Sequence, residues 1–242
     1  MNQDHRWNTQ EFESRVESLN RAQLHHLYPS ESWCLYRILP NCADVIDLGC
    51  GNGAKAAIAH GISPQTQYTG VDHQANVIEK AKTMFPYADF FADDLEGFIK
   101  QVKPVDCVMS WSVIKSFRNW REIIGLMLEK SQKFVICDIR VANTDREVFD
   151  ENICWADYGG VKGPITLLNY LTFKKGLLAY EDQLDRIELV AYQSDWGSFV
   201  QIDGDESDFF LVTCVLTKKG TLGNAGDSPC EIYEQLPQKL ER

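Results

Sequence analysis

The sequence predicts an α/β fold in which a mostly parallel sheet carries helices on both faces. The first sign is segment 45–53, VIDLGCGNG, where an apolar strand runs into a glycine-rich turn and then into an alanine-rich helix start. The second is a series of further strand-like segments, at 67–73, 89–95, 105–114 and 133–139. The third is a pair of apolar strands near the end of the chain, IELVAYQSDW and DFFLVTCVLTK, joined across the polar turn 203–206. Together they indicate one doubly wound domain.

The first strand and its turn indicate a ligand site. Asp47 lies near the carboxyl end of the strand, where open α/β sheets bind ligands. Glycines permit positive φ and close approach of a ligand, and Cys50 is small enough for a tight turn. The glycines are Gly49, Gly51 and Gly53. Because Ala54 is tolerated in the last position of the dinucleotide fingerprint, the glycines alone leave an NAD(P)-dependent oxidoreductase open.

Asp47 followed by this turn resembles motif I of the class I S-adenosylmethionine-dependent methyltransferases. In that family the loop wraps the methionine and ribose portion of the cofactor, which carries no phosphate. The resemblance implies S-adenosyl-L-methionine as cofactor and S-adenosyl-L-homocysteine as product. It also implies a seven-stranded sheet with an antiparallel last strand. The acidic residue before the glycines and the final antiparallel hairpin count against an oxidoreductase, whereas a non-catalytic cofactor-binding regulatory protein stays open.

The resemblance assigns further cofactor contacts to the ends of the next two strands. Asp72 is expected to accept hydrogen bonds from the ribose hydroxyls, with His73 beside it. Asp93 or Asp94, followed by Leu95, is expected to receive the adenine amino group, and the sequence does not distinguish the two aspartates. Each aspartate taken alone also fits an ordinary turn or helix cap.

The next strands are expected to flank the reacting methyl group. The fourth strand ends in a stretch that resembles motif IV, made up of Ser110, Trp111 and Ser112. Methyl transfer chiefly requires in-line alignment of the nucleophile and exclusion of water. An oxygen nucleophile of high pKa also needs a general base, for which Asp138, at the end of the fifth strand, and His73 are the catalytic candidates. A carboxylate, neutral amine or thiolate needs none.

The chain divides into a helical cap at 1–39, a methyltransferase domain at 40–220 and a flexible tail at 221–242. Within the domain, 140–186 is longer than a simple crossover needs and is expected to shape the acceptor site. Its first part, 144–160, is predicted to be helical and then looped, and 163–180 a helix with Pro164 early.

Candidate acceptor contacts come from the cap, the fourth strand's end and the insertion. They are Tyr28, Trp33, Lys115, Trp155, Tyr158 and Tyr170. The aromatic side chains fit core packing equally well, and a lysine at a helix start is usually solvated. The cap itself is predicted from apolar residues at helical spacing on either side of a break at Tyr28–Pro29, with residues 30–32 as a helix cap.

The amino-acid composition of the chain argues against several classes of binding partner. The 242 residues carry 24 basic and 35 acidic side chains, a formal charge of −11, which disfavours a nucleic-acid partner. No apolar run approaches the roughly 20 residues that span a bilayer, and no signal-type segment begins the chain, so a cytoplasmic protein without a membrane partner is expected. The eight cysteines are scattered without a C-x-x-C pair, which predicts buried thiols and no metal. We expect O- or N-methylation of a small molecule, with protein methylation as the alternative.

Overall fold

The computed structural model describes residues 21–157, 162–193, 200–202, 205–206, 209–223, 228–238 and 240. The helices are α1 (Pro29–Ile38), α2 (Ala54–Ile62), α3 (Ala75–Met84), α4 (Leu95–Gln101), α5 (Trp120–Lys130) and α6 (Tyr170–Leu178). The strands are β1 (Asp44–Leu48), β2 (Gln67–Asp72), β3 (Asp89–Ala92), β4 (Val105–Ser110), β5 (Ser131–Ala142), β6 (Cys154–Asp157), β7 (Lys162–Pro164), β8 (Leu184–Gln193), β9 (Val200–Ile202), β10 (Asp205–Glu206), β11 (Phe209–Lys218) and β12 (Glu231–Gln235).

The main sheet has the order β12-β8-β11-β5-β4-β1-β2-β3. Strands β1 to β5 pair in parallel, and β11 runs antiparallel to both β5 and β8. One face is covered by α1, α2 and α3, and the other by α4, α5 and α6, so buried apolar side chains fill two layers. The doubly wound fold and its antiparallel strand are therefore confirmed.

The sheet has eight strands rather than the predicted seven. The extra strand, β12, lies in the segment predicted to be a flexible tail and pairs in parallel with β8 at the sheet edge. All five of its side chains are exposed, so no apolar pattern marked it in the sequence. Its backbone pairing with β8 and ion pairs such as Arg186–Glu231 hold it instead. The prediction of a flexible tail is wrong for Glu231–Gln235.

The insertion differs from its prediction in two places. Cys154–Asp157 is a strand of a second, small sheet with the order β10-β9-β6-β7, where a helix and loop were expected. Helix α6 begins at Tyr170, capped by the Asn169 side chain, which accepts from Thr172 N at 2.7 Å. Pro164 therefore ends β7 instead of beginning a helix. Ile165 and Leu167, which lie between Pro164 and Tyr170, pack in a separate small core with Cys154 and Ala156 of β6.

Helix α1 begins at the predicted break. The backbone N–H of Tyr28 donates to the Glu31 carboxylate at 2.8 Å, so Tyr28 is the N-cap and the serines of 30–32 are already helical. The part of the predicted cap before residue 21 lies outside the described residues. Seven of the eight cysteines are buried.

The described ranges contain no helix long and apolar enough to cross a membrane. They also contain no group of three or more His, Cys, Asp or Glu side chains placed to hold a metal ion.

Candidate active site

A cavity of about 240 Å³ lies at the carboxyl ends of β1 and β4, on the sheet face that α1 and α2 cover. It is lined by the segment before α1, the glycine turn, the start of α2 and the residues that follow β4. The far wall comes from β5, β11 and β8. The lining residues are Arg21, Tyr28, Glu31, Asp47, Gly49, Cys50, Ala54, Lys55, Trp111, Ser112, Lys115, Arg140, Tyr192 and Leu211.

Strand register explains the far wall. Leu211 of β11 is paired with Arg140 of β5 on one side and with Tyr192 of β8 on the other. Residues opposite one another in neighbouring strands point to the same face of a sheet. Asp138, two residues before Arg140, shares that face because side chains alternate along a strand. Strand β5 extends beyond the last residue of β4, so these side chains rise above the β4 edge.

The glycine turn has the geometry that a close ligand approach requires. Gly49, Gly51 and Gly53 all have positive φ, at 76°, 54° and 75°. A Cβ on Gly49 would lie 2.4 Å from a methyl group of Val113, so no other residue fits there without displacement. The loop is fixed from outside by Asp72, whose Oδ2 accepts from Gly51 N at 3.0 Å.

Asp47 is a buried carboxylate with one unused oxygen. Its Oδ2 accepts a hydrogen bond from the Tyr68 hydroxyl at 2.5 Å. Its Oδ1 is buried and has no hydrogen-bond partner among the described residues. Burial raises the pKa of this carboxyl to about 6, against the lowering effects of Tyr68 and Lys55. An unpaired buried oxygen in a cavity wall is costly unless a bound donor satisfies it.

The turn after β4 is held by Asp138. Ser112 is the one non-glycine residue with positive φ in the described part of the chain, at 58°. Its backbone N–H donates to Asp138 Oδ1, and its hydroxyl donates to Oδ2 at 3.2 Å. Burial raises the pKa of Asp138, while the Ser112 N–H and then Arg140 oppose the shift. Trp111 is thereby placed in the cavity wall, and its Nε1 is buried without a partner in these ranges.

Neither candidate general base is free for that role. Both oxygens of Asp138 accept from Ser112, so the structure gives this residue a positioning role. His73 is exposed, with Nδ1 3.3 Å from Asp72 Oδ1, and does not line the cavity. Ser110 is also structural, because its hydroxyl donates to Leu48 O at 2.9 Å and ties β4 to β1.

The two aspartates after β3 have different surroundings. Asp94 caps α4, accepting from Gly97 N at 2.9 Å, and Leu95 is the buried first residue of that helix. Asp93 follows directly on β3 and donates its backbone N–H to Asp72 O at 3.0 Å. Asp93 therefore lies beside the ribose candidate, with its side chain exposed.

Of the acceptor candidates, Tyr28 and Lys115 line the cavity. Lys115 is buried, and its ammonium donates to Ser112 O. The other described candidates are packed elsewhere, which corrects the prediction for them. Trp33 stacks on Tyr233 of β12 with ring centroids 6.3 Å apart, and Tyr170 donates to Glu234.

Trp155 and Tyr158 belong to the insertion. Trp155 lies in β6, with the Lys162 ammonium 4.4 Å from its ring centroid, and does not line the cavity. Tyr158 lies outside the described residues. The residue type of an aromatic side chain predicts that it can line a pocket, but its packing partners determine where it points.

The sequence did not single out several lining residues, chief among them Glu31, Lys55 and Arg140. Glu31 is buried and accepts from Lys55 Nζ at 2.7 Å and from the Arg21 guanidinium, so it joins α1 to α2 and to the preceding segment. Lys55 also lies 5.1 Å above the Trp111 ring. The sequence could have indicated Arg140, because side chains two residues apart in a strand lie on the same face and Asp138 was already a candidate.

The residues present fit S-adenosylmethionine. Asp47 Oδ1 is an unsatisfied acceptor suited to the ammonium of the methionine portion, and three residues of the adjoining turn are positive-φ glycines that carry no side chain. Asp72 stands next to the turn at the end of β2, as a ribose acceptor must.

Comparison with known proteins identifies the family of the chain. A family model described as a methyltransferase domain matches residues 41–201. Trans-aconitate 2-methyltransferase of Azoarcus sp. (strain BH72) is 31% identical over 77 residues, which is 32% of this chain and 30% of the relative.

Among solved structures, the N-terminal domain of EvdMO1 with S-adenosylhomocysteine bound aligns with a TM-score of 0.57 at 12% identity, covering 89% of this chain and 85% of that one. The plantazolicin methyltransferase BpumL aligns with a TM-score of 0.56 at 13% identity, covering 88% and 93%. These likenesses concern the fold. Because the family model matches well over half of the sequence, from before β1 to the β8–β11 connection, the chain belongs to the class I S-adenosylmethionine-dependent methyltransferases.

Proposed function

We propose that this protein transfers a methyl group from S-adenosylmethionine to a small-molecule acceptor. The observation that carries the proposal is the unpaired, buried Oδ1 of Asp47 beside a turn of positive-φ glycines that Asp72 fixes. A buried acceptor and an open backbone loop at the carboxyl edge of the sheet form a site for a ligand with an ammonium group and a ribose.

Each residue has a distinct task in this proposal. Asp47 accepts a hydrogen bond from the ammonium of the methionine portion, and Asp72 accepts hydrogen bonds from the ribose hydroxyls. Asp93 accepts a hydrogen bond from the adenine amino group. Trp111 and Ser112, held by Asp138, wall the space beside the reacting centre. The bound cofactor supplies an electrophilic methyl group on a sulfonium, so the protein has to align the acceptor and exclude water.

A small acceptor is supported by the size of the cavity. Its described volume is about 240 Å³, and Arg21, Tyr28 and Glu31 line it. The net charge of −11 disfavours a nucleic-acid acceptor. The curated relative's name, trans-aconitate 2-methyltransferase, refers to a small organic acid and supports the same class.

Calorimetric titration of cofactor-free protein with S-adenosylhomocysteine, with NAD and NADP as controls, tests the site. We expect saturable binding of the sulfur nucleoside alone. Asp72→Ala should weaken that binding about tenfold or more, because two hydrogen bonds to a charged acceptor are lost. Asp182→Ala, at an exposed acidic residue remote from the turn, is the matched control and should bind like the parent. A preference for a dinucleotide, or binding by Asp72→Ala as tight as that of the parent and the control, would overturn the assignment.

A further inference from the structure

We infer that the acceptor is a carboxylic acid bound as its anion by Arg140, and that the product is a methyl ester. The inference rests on the proposed function and specifies the acceptor of that same site. It begins with an unsatisfied donor. Arg140 Nε is buried and has no hydrogen-bond partner in the described ranges, although the residue lines the cavity.

The other cations of the cavity are already engaged. Arg21 donates to His26 O at 2.9 Å and pairs with Glu31. Lys55 pairs with the same carboxylate at 2.7 Å. Lys115 donates to Ser112 O. Arg140 is thus the cation of the described lining that has a buried donor, Nε, without a hydrogen-bond partner.

A second unsatisfied donor lines the same cavity. Trp111 Nε1 is buried and has no partner within the described part of the chain. Buried N–H groups are normally hydrogen-bonded, so two orphan donors in one cavity indicate a ligand rich in acceptor atoms. A carboxylate has two oxygens that accept several hydrogen bonds and match the fork of an arginine.

The charge of the cavity favours an anion. Its described lining holds four cations, Arg21, Lys55, Lys115 and Arg140, against two carboxylates, Glu31 and Asp47. Asp138 lies beside Arg140 and lowers this excess, but both its oxygens are held by Ser112. The cavity therefore keeps a positive excess inside a chain of net charge −11. A neutral or cationic amine acceptor would leave that excess unbalanced.

Neither predicted general base is available in the described lining, which agrees with a carboxylate acceptor. Asp138 is engaged and His73 lies outside the cavity, while Asp47 is assigned to the ammonium of the cofactor. A carboxylate is already ionised at neutral pH. Its oxygen supplies the electron pair of the new O–CH₃ bond, the pair of the broken C–S bond stays on sulfur, and no proton has to leave. The products are a methyl ester and S-adenosylhomocysteine.

The test is calorimetric titration of the S-adenosylhomocysteine-loaded protein with succinate, glutarate, citrate and benzoate, each compared with its neutral amide. We expect at least one carboxylate to bind and its amide not to bind. Arg140→Met should weaken carboxylate binding about tenfold or more, since a charge-assisted hydrogen bond is lost, and Arg140→Lys should weaken it less. Arg118→Met, at an exposed arginine outside the lining, should bind like the parent.

A chemical readout complements binding. Label transferred from the methyl donor to a binding carboxylate should be released as methanol by mild alkali, as an ester is. Label that is stable to alkali and appears only with amines or phenols overturns the inference, and so does equal binding by Arg140→Met or failure of every carboxylate to bind. Binding of S-adenosylhomocysteine itself separates the two proposals. If it binds and the carboxylates do not, only the acceptor assignment fails.

Discussion

The ionised carboxyl of Asp47 destabilises the folded protein, because it is buried. The carboxyl is fully buried, and burial raises its pKa from the ordinary value of 3.8 to about 6. A folded-state pKa above the unfolded value means that the folded protein binds the proton more readily. Stability from this group is therefore greatest at low pH and falls as the pH rises from about 4 to about 6.

Asp47→Asn should stabilise the cofactor-free protein at pH 8 by roughly 3 kcal/mol, because the neutral amide avoids burial of a charge. The difference from the parent should vanish below about pH 3, where the Asp47 carboxyl is protonated in both the folded and the unfolded protein. Urea unfolding at several pH values measures it. The same variant should bind S-adenosylhomocysteine at least about tenfold more weakly, since the ammonium loses its charged acceptor. An Asn variant less stable than the parent at pH 8 would contradict the conclusion that the buried charge of Asp47 destabilises the cofactor-free protein.

At the scale of elements, β12 shows how an exposed strand is held at a sheet edge. Tyr170 of α6 donates to Glu234, and Lys174 pairs with the same carboxylate at 2.7 Å. Burial, which would raise the pKa of Glu234, is outweighed by these bonds, and the pKa lies below its usual value. On the other face, Tyr233 stacks on Trp33 of α1. The strand therefore covers parts of both helices.

Removal of residues 224–242 should lower the melting temperature by about 5–10 °C, because a loss of roughly 2–3 kcal/mol shifts a chain of this size by that amount. The measurement is thermal unfolding followed by circular dichroism. Glu234→Gln keeps the strand and breaks the exposed ion pair, so it should cost less than about 1 kcal/mol. Affinity for S-adenosylhomocysteine should survive in both, since β12 does not line the cavity. An unchanged melting temperature on truncation would show that the strand contributes nothing.

At the scale of the whole molecule, one half of the site, the local half, comes from a single short segment of the chain. The other, non-local half comes from strands that are far apart in the sequence. The local half was predictable, because Asp47 and the glycines lie within one short segment and their spacing alone specifies the turn. Arg140, Tyr192 and Leu211 meet only through the register of three strands, which no single segment displays. The same reason explains the wrong acceptor residues. Tyr170 has the right chemistry for a pocket, but its partner Glu234 lies in a strand that the sequence did not reveal.

The cap segment 21–31 and the turn 49–55 should respond together to the cofactor. Glu31 links Arg21, the start of α1 and Lys55, so both segments line one cavity. A ligand that bridges them should slow amide exchange in both, because opening of either would then require loss of ligand contacts.

Hydrogen–deuterium exchange with mass spectrometry, with and without S-adenosylhomocysteine, measures this coupling. We expect slower exchange at 21–31 and at 49–55, and no change in β12 or α6. Glu31→Gln, which weakens the link to Arg21 and Lys55, should reduce protection of the cap while leaving protection of the turn. Protection confined to 49–55 in the parent would mean that the cap segment does not contact the cofactor.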